Sequence, residues 1–190
     1  MPRIARELDD ASKAVALARM FLHAAEPAAG DLDLQLWKLL KKGSSILRAE
    51  VAEQLAPLVN GPPRTLRALA HDPDPEVAGP VLQHSAAISN TAIAEMARCK
   101  GDKHSEAIAA RRNLHEKITG ILIRRGGPQV LSALRRNETA AISAEGLHHL
   151  AMRLRHHEQA SRRSERRLQH PGARRRIATV VASSLRHHDQ

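Results

Sequence analysis

The chain alternates between short apolar runs and short polar breaks, and inside the runs the apolar positions recur at helical spacing. In DLDLQLWKLLKKG, residues 31–43, Leu34, Trp37 and Leu40 fall three apart, and Gly43 stands where a helix end favours glycine. Ser44-Ser45 can cap the next segment, ILRAEVAEQLAPLV, in which Val51, Leu55 and Leu58 share a face. Asn60-Gly61-Pro62-Pro63 reads as a turn, and RTLRALAH as a short helix after it. The next stretch, LAHDPDPEVAGPVLQHS, predicts a corner. Residues before proline are pushed out of the helical region, so Asp72-Pro73 ends one helix. Asp74 then suits an N-cap, Pro75 the first helical position and Glu76 the first turn of a helix reaching about His84. Pro80 has no amide to bond to Glu76, which predicts a bend. Near the start, AVALARMFLHAA is interrupted by Arg19 and preceded by Glu7, Asp9 and Asp10. It predicts an amphipathic helix, a poor signal peptide and no bilayer span. No segment alternates like a strand, so the predicted class is all-α.

The pattern also repeats. AAIS occurs at 86–89 and 140–143, 54 residues apart, and Ile93, Met96 and Ala97 after the first copy match Leu147, Leu150 and Ala151 after the second. Between them, in LHEKITGILI, Leu114 is placed like Ile88 and Leu122 like Met96. Leu66, Leu69 and Ala70 lie 27 residues before Ile93, Met96 and Ala97, and EVAEQL at 50–55 precedes EVAGPV at 76–81 by 26. The period is about 27 residues, which fits two short helices and two turns. Helix pairs are predicted at about 45–71, 74–99, 103–125 and 128–156. Helices this short are unstable alone, and one pair cannot bury its own apolar face, whereas stacked pairs can. The expected architecture is an α-solenoid of short antiparallel helix hairpins; the rival is a compact helical bundle. Residues 1–44 are expected to form an N-terminal helical cap, 45–156 the repeats, and 157–190 an Arg-rich C-terminal helical segment or tail.

The series LRALAHDPDPEVAGPVL, AIAARRNLHEKITGILIRRGG and VLSALRRNETAAIS resembles a family of HEAT-like helical-repeat proteins in alphaproteobacteria, classed as a domain of unknown function. The telling residues are Asp72-Pro73 with Glu76 to Leu82, Ala107 to Arg111 with Leu114, and Asn137 with Ala140 and Ser143. The resemblance covers roughly 45–155. It departs at Gly126-Gly127, where the family often has Gly-Asp, and members tend to be longer, so a short variant is expected. The resemblance implies a HEAT-like repeat scaffold and assigns no catalytic residue.

Composition sharpens this picture. Ala and Leu dominate the apolar residues, while Phe21 and Trp37 are the only aromatics of their kind and Tyr is absent. Such small side chains suit helices in close approach. Cys99 is the single cysteine, which excludes an intrachain disulfide and a multi-cysteine zinc site and suits a cytoplasmic location. Of the net charge of +10, residues 153–190 carry +7, through ten arginines against Glu158, Glu165 and Asp189. The basicity therefore belongs to the C-terminal segment.

Each candidate for chemistry competes with a plain structural role. Asp72 and Asp74 can be read as an acid/base pair or a cation site, but the corner accounts for both. His149 and His156, with Met152 between, share a helix face, yet two turns separate them and no Cys or carboxylate completes a metal set. Cys99 stands near Arg98, Lys100 and Lys103, with His104 across a turn, and lacks an evident base and oxyanion site. Gly126-Gly127 lacks the Lys-Ser/Thr of a phosphate loop. No cofactor and no catalytic residue is expected. Arg111-Arg112, Arg124-Arg125 and Arg135-Arg136 each fall at a predicted helix end. There they either complement the helix dipole or serve as partner or phosphate contacts. Antiparallel succession puts only the first and third pairs on one edge. The C-terminal Arg162, Arg163, Arg166, Arg167, Arg174, Arg175 and Arg176 either form a solvated face or bind phosphates or an acidic protein. Pro171-Gly172 splits this segment, and Ile177, Val180, Val181 and Leu185 would let its second part dock as a helix.

Two functions follow. The leading expectation is a non-enzymatic scaffold whose solenoid surface holds a protein partner in a regulatory role. The alternative is nucleic-acid binding through the basic C-terminal segment. Its DNA-repair glycosylase version is weak, because base flipping needs aromatic platforms and Trp37 sits alone in the cap.

Overall fold

Caps and prolines cut the chain into short helices. The computed structural model describes the backbone of residues 2–23 and 28–169 and the side chains of residues 12–23 and 28–163. Among the described residues it is all-helical, without strands: α1 (Pro2–His23), α2 (Ala28–Lys42), α3 (Ser45–Leu55), α4 (Pro63–Ala70), α5 (Pro75–His84), α6 (Asn90–Cys99), α7 (Asp102–Ala109), α8 (Glu116–Arg125), α9 (Pro128–Arg136) and α10 (Ala144–Gln169). The chain divides into two compact units, Met1–Leu147 and His148–Gln190.

The helix starts follow from side chains that accept first-turn amides. Ser44 Oγ accepts the Leu47 amide at 3.2 Å, and Asp74 Oδ1 accepts the Glu76 amide at 3.0 Å with Pro75 opening α5. The duplicated AAIS is a loop that ends in a cap. Ser89 Oγ accepts the Ala92 amide at 3.3 Å, and Ser143 Oγ accepts the Gly146 amide at 3.1 Å. Helix α5 runs through Pro80 to His84, so the missing amide does not end it.

In the first unit, helices two apart in the chain pack together: α3 with α5, α5 with α7, α7 with α9, and likewise α2 with α4 and α6 with α8. Consecutive helices α3 and α4, α4 and α5, α6 and α7, α7 and α8, and α8 and α9 also touch. The repeated apolar positions form the core. Leu66, Leu69 and Ala70 and their counterparts Ile93, Met96 and Ala97 are buried, as are Ile108, Leu114, Ile118, Leu122, Leu131 and Leu134. Each large aliphatic side chain fully withdrawn from water contributes about 1.5–3 kcal/mol. The pattern lapses at its last copy, where Leu147 is 53% exposed.

Helix α2 departs from the face its apolar spacing predicts. Its buried face is Ala29, Asp33, Leu36 and Leu40, whereas Leu34 and Trp37 are only half-buried. A strictly apolar pattern misplaces the face because an aspartate occupies one of its positions.

Candidate partner-binding surface

Helices of eight to ten residues make most of their backbone groups end groups, because the first four amides and last four carbonyls lack partners within the helix. Here many of those groups are met from another part of the first unit. Helix α4 begins after Pro62, whose side chain caps nothing. Buried Asp33 of α2 takes the role instead, accepting the amides of Arg64 at 2.8 Å and Thr65 at 2.9 Å and the Thr65 hydroxyl at 2.6 Å. At the far end of α4, Lys100 Nζ donates to the carbonyls of His71 at 2.9 Å and Asp72 at 3.3 Å. The end of α7 receives Asn137, whose Nδ2 donates to Ala109 O at 2.8 Å and Arg111 O at 2.7 Å. These bonds span 26–32 residues, close to the period of the apolar pattern.

Of the two aspartates of the corner, Asp72 is engaged in the same way and Asp74 caps its own helix. Asp72 Oδ2 accepts Arg48 Nε at 2.8 Å, and Oδ1 accepts the Asp74 amide at 2.9 Å. The Asp72 carbonyl also accepts His104 Nε2 at 3.1 Å, which makes Nε2 the protonated nitrogen of that buried ring. Cys99 is exposed at the end of α6. Among the described residues no three His, Cys, Asp or Glu side chains converge as a metal site would require, and no helix is long and apolar enough to cross a membrane.

The arginine pairs separate into different roles. Arg111 and Arg112 lie just beyond Ala109, the last residue of α7. Arg111 is half-buried and reaches α5, donating from Nη1 to Leu82 O at 3.0 Å and from Nη2 to Ser85 O at 2.7 Å. Burial lowers its pKa from the ordinary arginine value, and the guanidinium remains charged. It thus complements the C-terminal carbonyls of α5 rather than those of α7. Arg112 is exposed and lines a cleft of about 300 Å³ with Ala110, Ala133, Arg136, Asn137 and Thr139. The structure therefore brings one arginine of the first pair and one of the third to the same edge. Arg135 is exposed beside it, and Arg124 and Arg125 are exposed at the end of α8. Arg162 and Arg163 are exposed on α10. Arg166 and Arg167 belong to the α10 backbone, with side chains outside the described residues. Arg174, Arg175 and Arg176 lie outside the described residues, as do Pro171-Gly172 and the apolar positions from Ile177 to Leu185.

A second cleft, of about 380 Å³, opens between α6 and α8. Thr91, Ala94, Glu95 and Arg98 supply one wall at helical spacing, and His115, Lys117 and Ile118 supply the other. His115 is positioned by its own capping bond, Nδ1 accepting the Lys117 amide at 3.2 Å. The walls combine apolar surface with charges of both signs, a lining suited to a peptide segment. Sequence reasoning missed this cleft, because its two walls are apart in the chain and none of its residues stands out alone.

Residues 77–189, more than half of the chain and all of both clefts, match a family described as an uncharacterised protein conserved in bacteria (DUF2336). The chain belongs to this family. No curated protein and no solved structure matches it. Asp33, Asp72 and Asp74 precede the matched region, whereas Arg111, Asn137 and the α6/α8 cleft fall within it.

Proposed function

We propose that this chain is a non-enzymatic scaffold, an α-solenoid of HEAT-like repeats of alphaproteobacterial type, that holds a protein partner in a regulatory role in the cytoplasm. The solenoid reading is supported by the packing of helices two apart and by polar bonds that span about one period. A non-enzymatic role is supported by the use of the acidic candidates, Asp72 and Asp74, in pairing with Arg48 and in capping α5. The observation that carries the reading is the α6/α8 cleft, an open groove whose mixed lining fits a segment of another protein.

The test places a photo-crosslinking amino acid at Ala94, which faces the cleft, and a second at Val59, an exposed position away from it. A protein adduct specific to position 94 in the native host, lost on Thr91→Arg while the far-UV spectrum is unchanged, is the expected result. Equal labelling from both positions would remove the cleft from consideration.

A further inference from the structure

Helix α10 carries a regularity that the scaffold reading does not use. His148-His149, Arg155-His156 and Arg162-Arg163 are three adjacent pairs, each seven residues after the last, and all six side chains are exposed. Seven residues are close to two helical turns, so the pairs form two parallel rows. His148, Arg155 and Arg162 make one row; His149, His156 and Arg163 make the other. Neighbouring residues point about 100° apart around a helix, so the rows splay in two directions along about 22 Å of axis. Only Met152, 40% exposed, adds a large apolar group to that side, and its sulfur accepts from Arg155 Nη2 at 3.3 Å.

We propose that α10 binds B-form duplex DNA, lying in the major groove with each row facing one of the two phosphate strands. Two splayed rows of donors match a groove with two anionic walls. A flat anionic membrane presents one plane rather than two walls, and this side offers little apolar surface to insert into lipid. A helix is about as wide as the B-form major groove, which admits it, whereas the major groove of duplex RNA is too narrow. The rows hold arginine and histidine, which suit phosphate oxygens, and the side between them holds Met152 and the single amide Gln159, so contacts to the backbone dominate the binding.

The experiment titrates the full chain into a fluorescent duplex of about 20 base pairs at salt from about 50 to 200 mM. The expected result is micromolar or tighter binding at the lowest salt, weakening steeply with salt, and clearly weaker binding to duplex RNA of the same sequence. Arg155→Gln with Arg162→Gln and Arg163→Gln should weaken binding at least tenfold and reduce the log–log salt slope by about 2 to 3, roughly one unit for each phosphate the variant no longer neutralises. Lys38→Gln with Lys41→Gln, on α2, should leave both unchanged. All the substituted positions are exposed, and unchanged circular dichroism verifies the fold. The proposal is overturned if the full chain does not bind DNA at low salt, if the triple variant binds as the parent does, or if duplex RNA binds equally well.

Discussion

Asp33 shows how much one buried side chain can do. Its carboxylate replaces the cap that Pro62 cannot offer and closes the start of α4 from another helix. Asp33→Ala should cost about 2–4 kcal/mol of stability in urea unfolding, because two amides lose their acceptor together and the Thr65 hydroxyl keeps only the Asp33 carbonyl at 3.2 Å. Asp33→Asn, which keeps one accepting oxygen, should cost less. A loss under about 0.5 kcal/mol for the alanine variant would mean water replaces the carboxylate freely. The same residue explains why spacing alone misplaces the inward face of α2: an aspartate in a core-facing register breaks the apolar pattern. Asp74, by contrast, is legible as a cap because a cap acts on its own neighbours. The role of Arg111 is not legible, because its acceptors at Leu82 and Ser85 are 29 and 26 residues away.

At the scale of elements, two glycines of α8 and its end behave oppositely. A methyl group at Gly120 would meet nothing nearer than Arg124 Nη1 at 3.6 Å, so Gly120→Ala should stabilise the protein by about 0.5–1 kcal/mol through helix propensity. At Gly126 the same group would lie 2.7 Å from Val130 Cβ and 2.8 Å from Leu122 O, so Gly126→Ala should lower the thermal midpoint. Thermal unfolding of the two variants checks both signs. The close approach at Gly126 sets the short connection between α8 and α9, and Asp102 of α7 accepts the following Gly127 amide at 3.3 Å. The existence of the helices and the starts of α3 and α5 are readable from caps, prolines and spacing. The α6/α8 cleft is not, since it depends on helices that are separated in the chain lying side by side.

At the scale of the whole molecule, the proposed solenoid would make stability a sum over local interfaces, each closed by bonds between neighbouring helix pairs. Asp33→Ala and Asn137→Ala act far apart in the chain within the first unit and share no partner, so their costs should add within about 0.5 kcal/mol. Arg48→Met and Asp72→Ala touch one ion pair and should couple by about 0.5–3 kcal/mol in a double-mutant cycle. Strong coupling of the first pair would indicate one globally cooperative core instead. The amino-acid sequence by itself determined the helical class, the starts of α3 and α5, the period near 27 residues in the apolar pattern and the concentration of positive charge beyond residue 152, because each rests on neighbours in the chain. Only the tertiary structure decided which polar side chains close which helix ends, that Arg111 serves α5, and where α6 and α8 leave a groove. The physical reason is that these hydrogen bonds and this cleft join residues well apart in the chain, and a pattern of apolar positions shows which faces are inward without specifying which atoms meet across them.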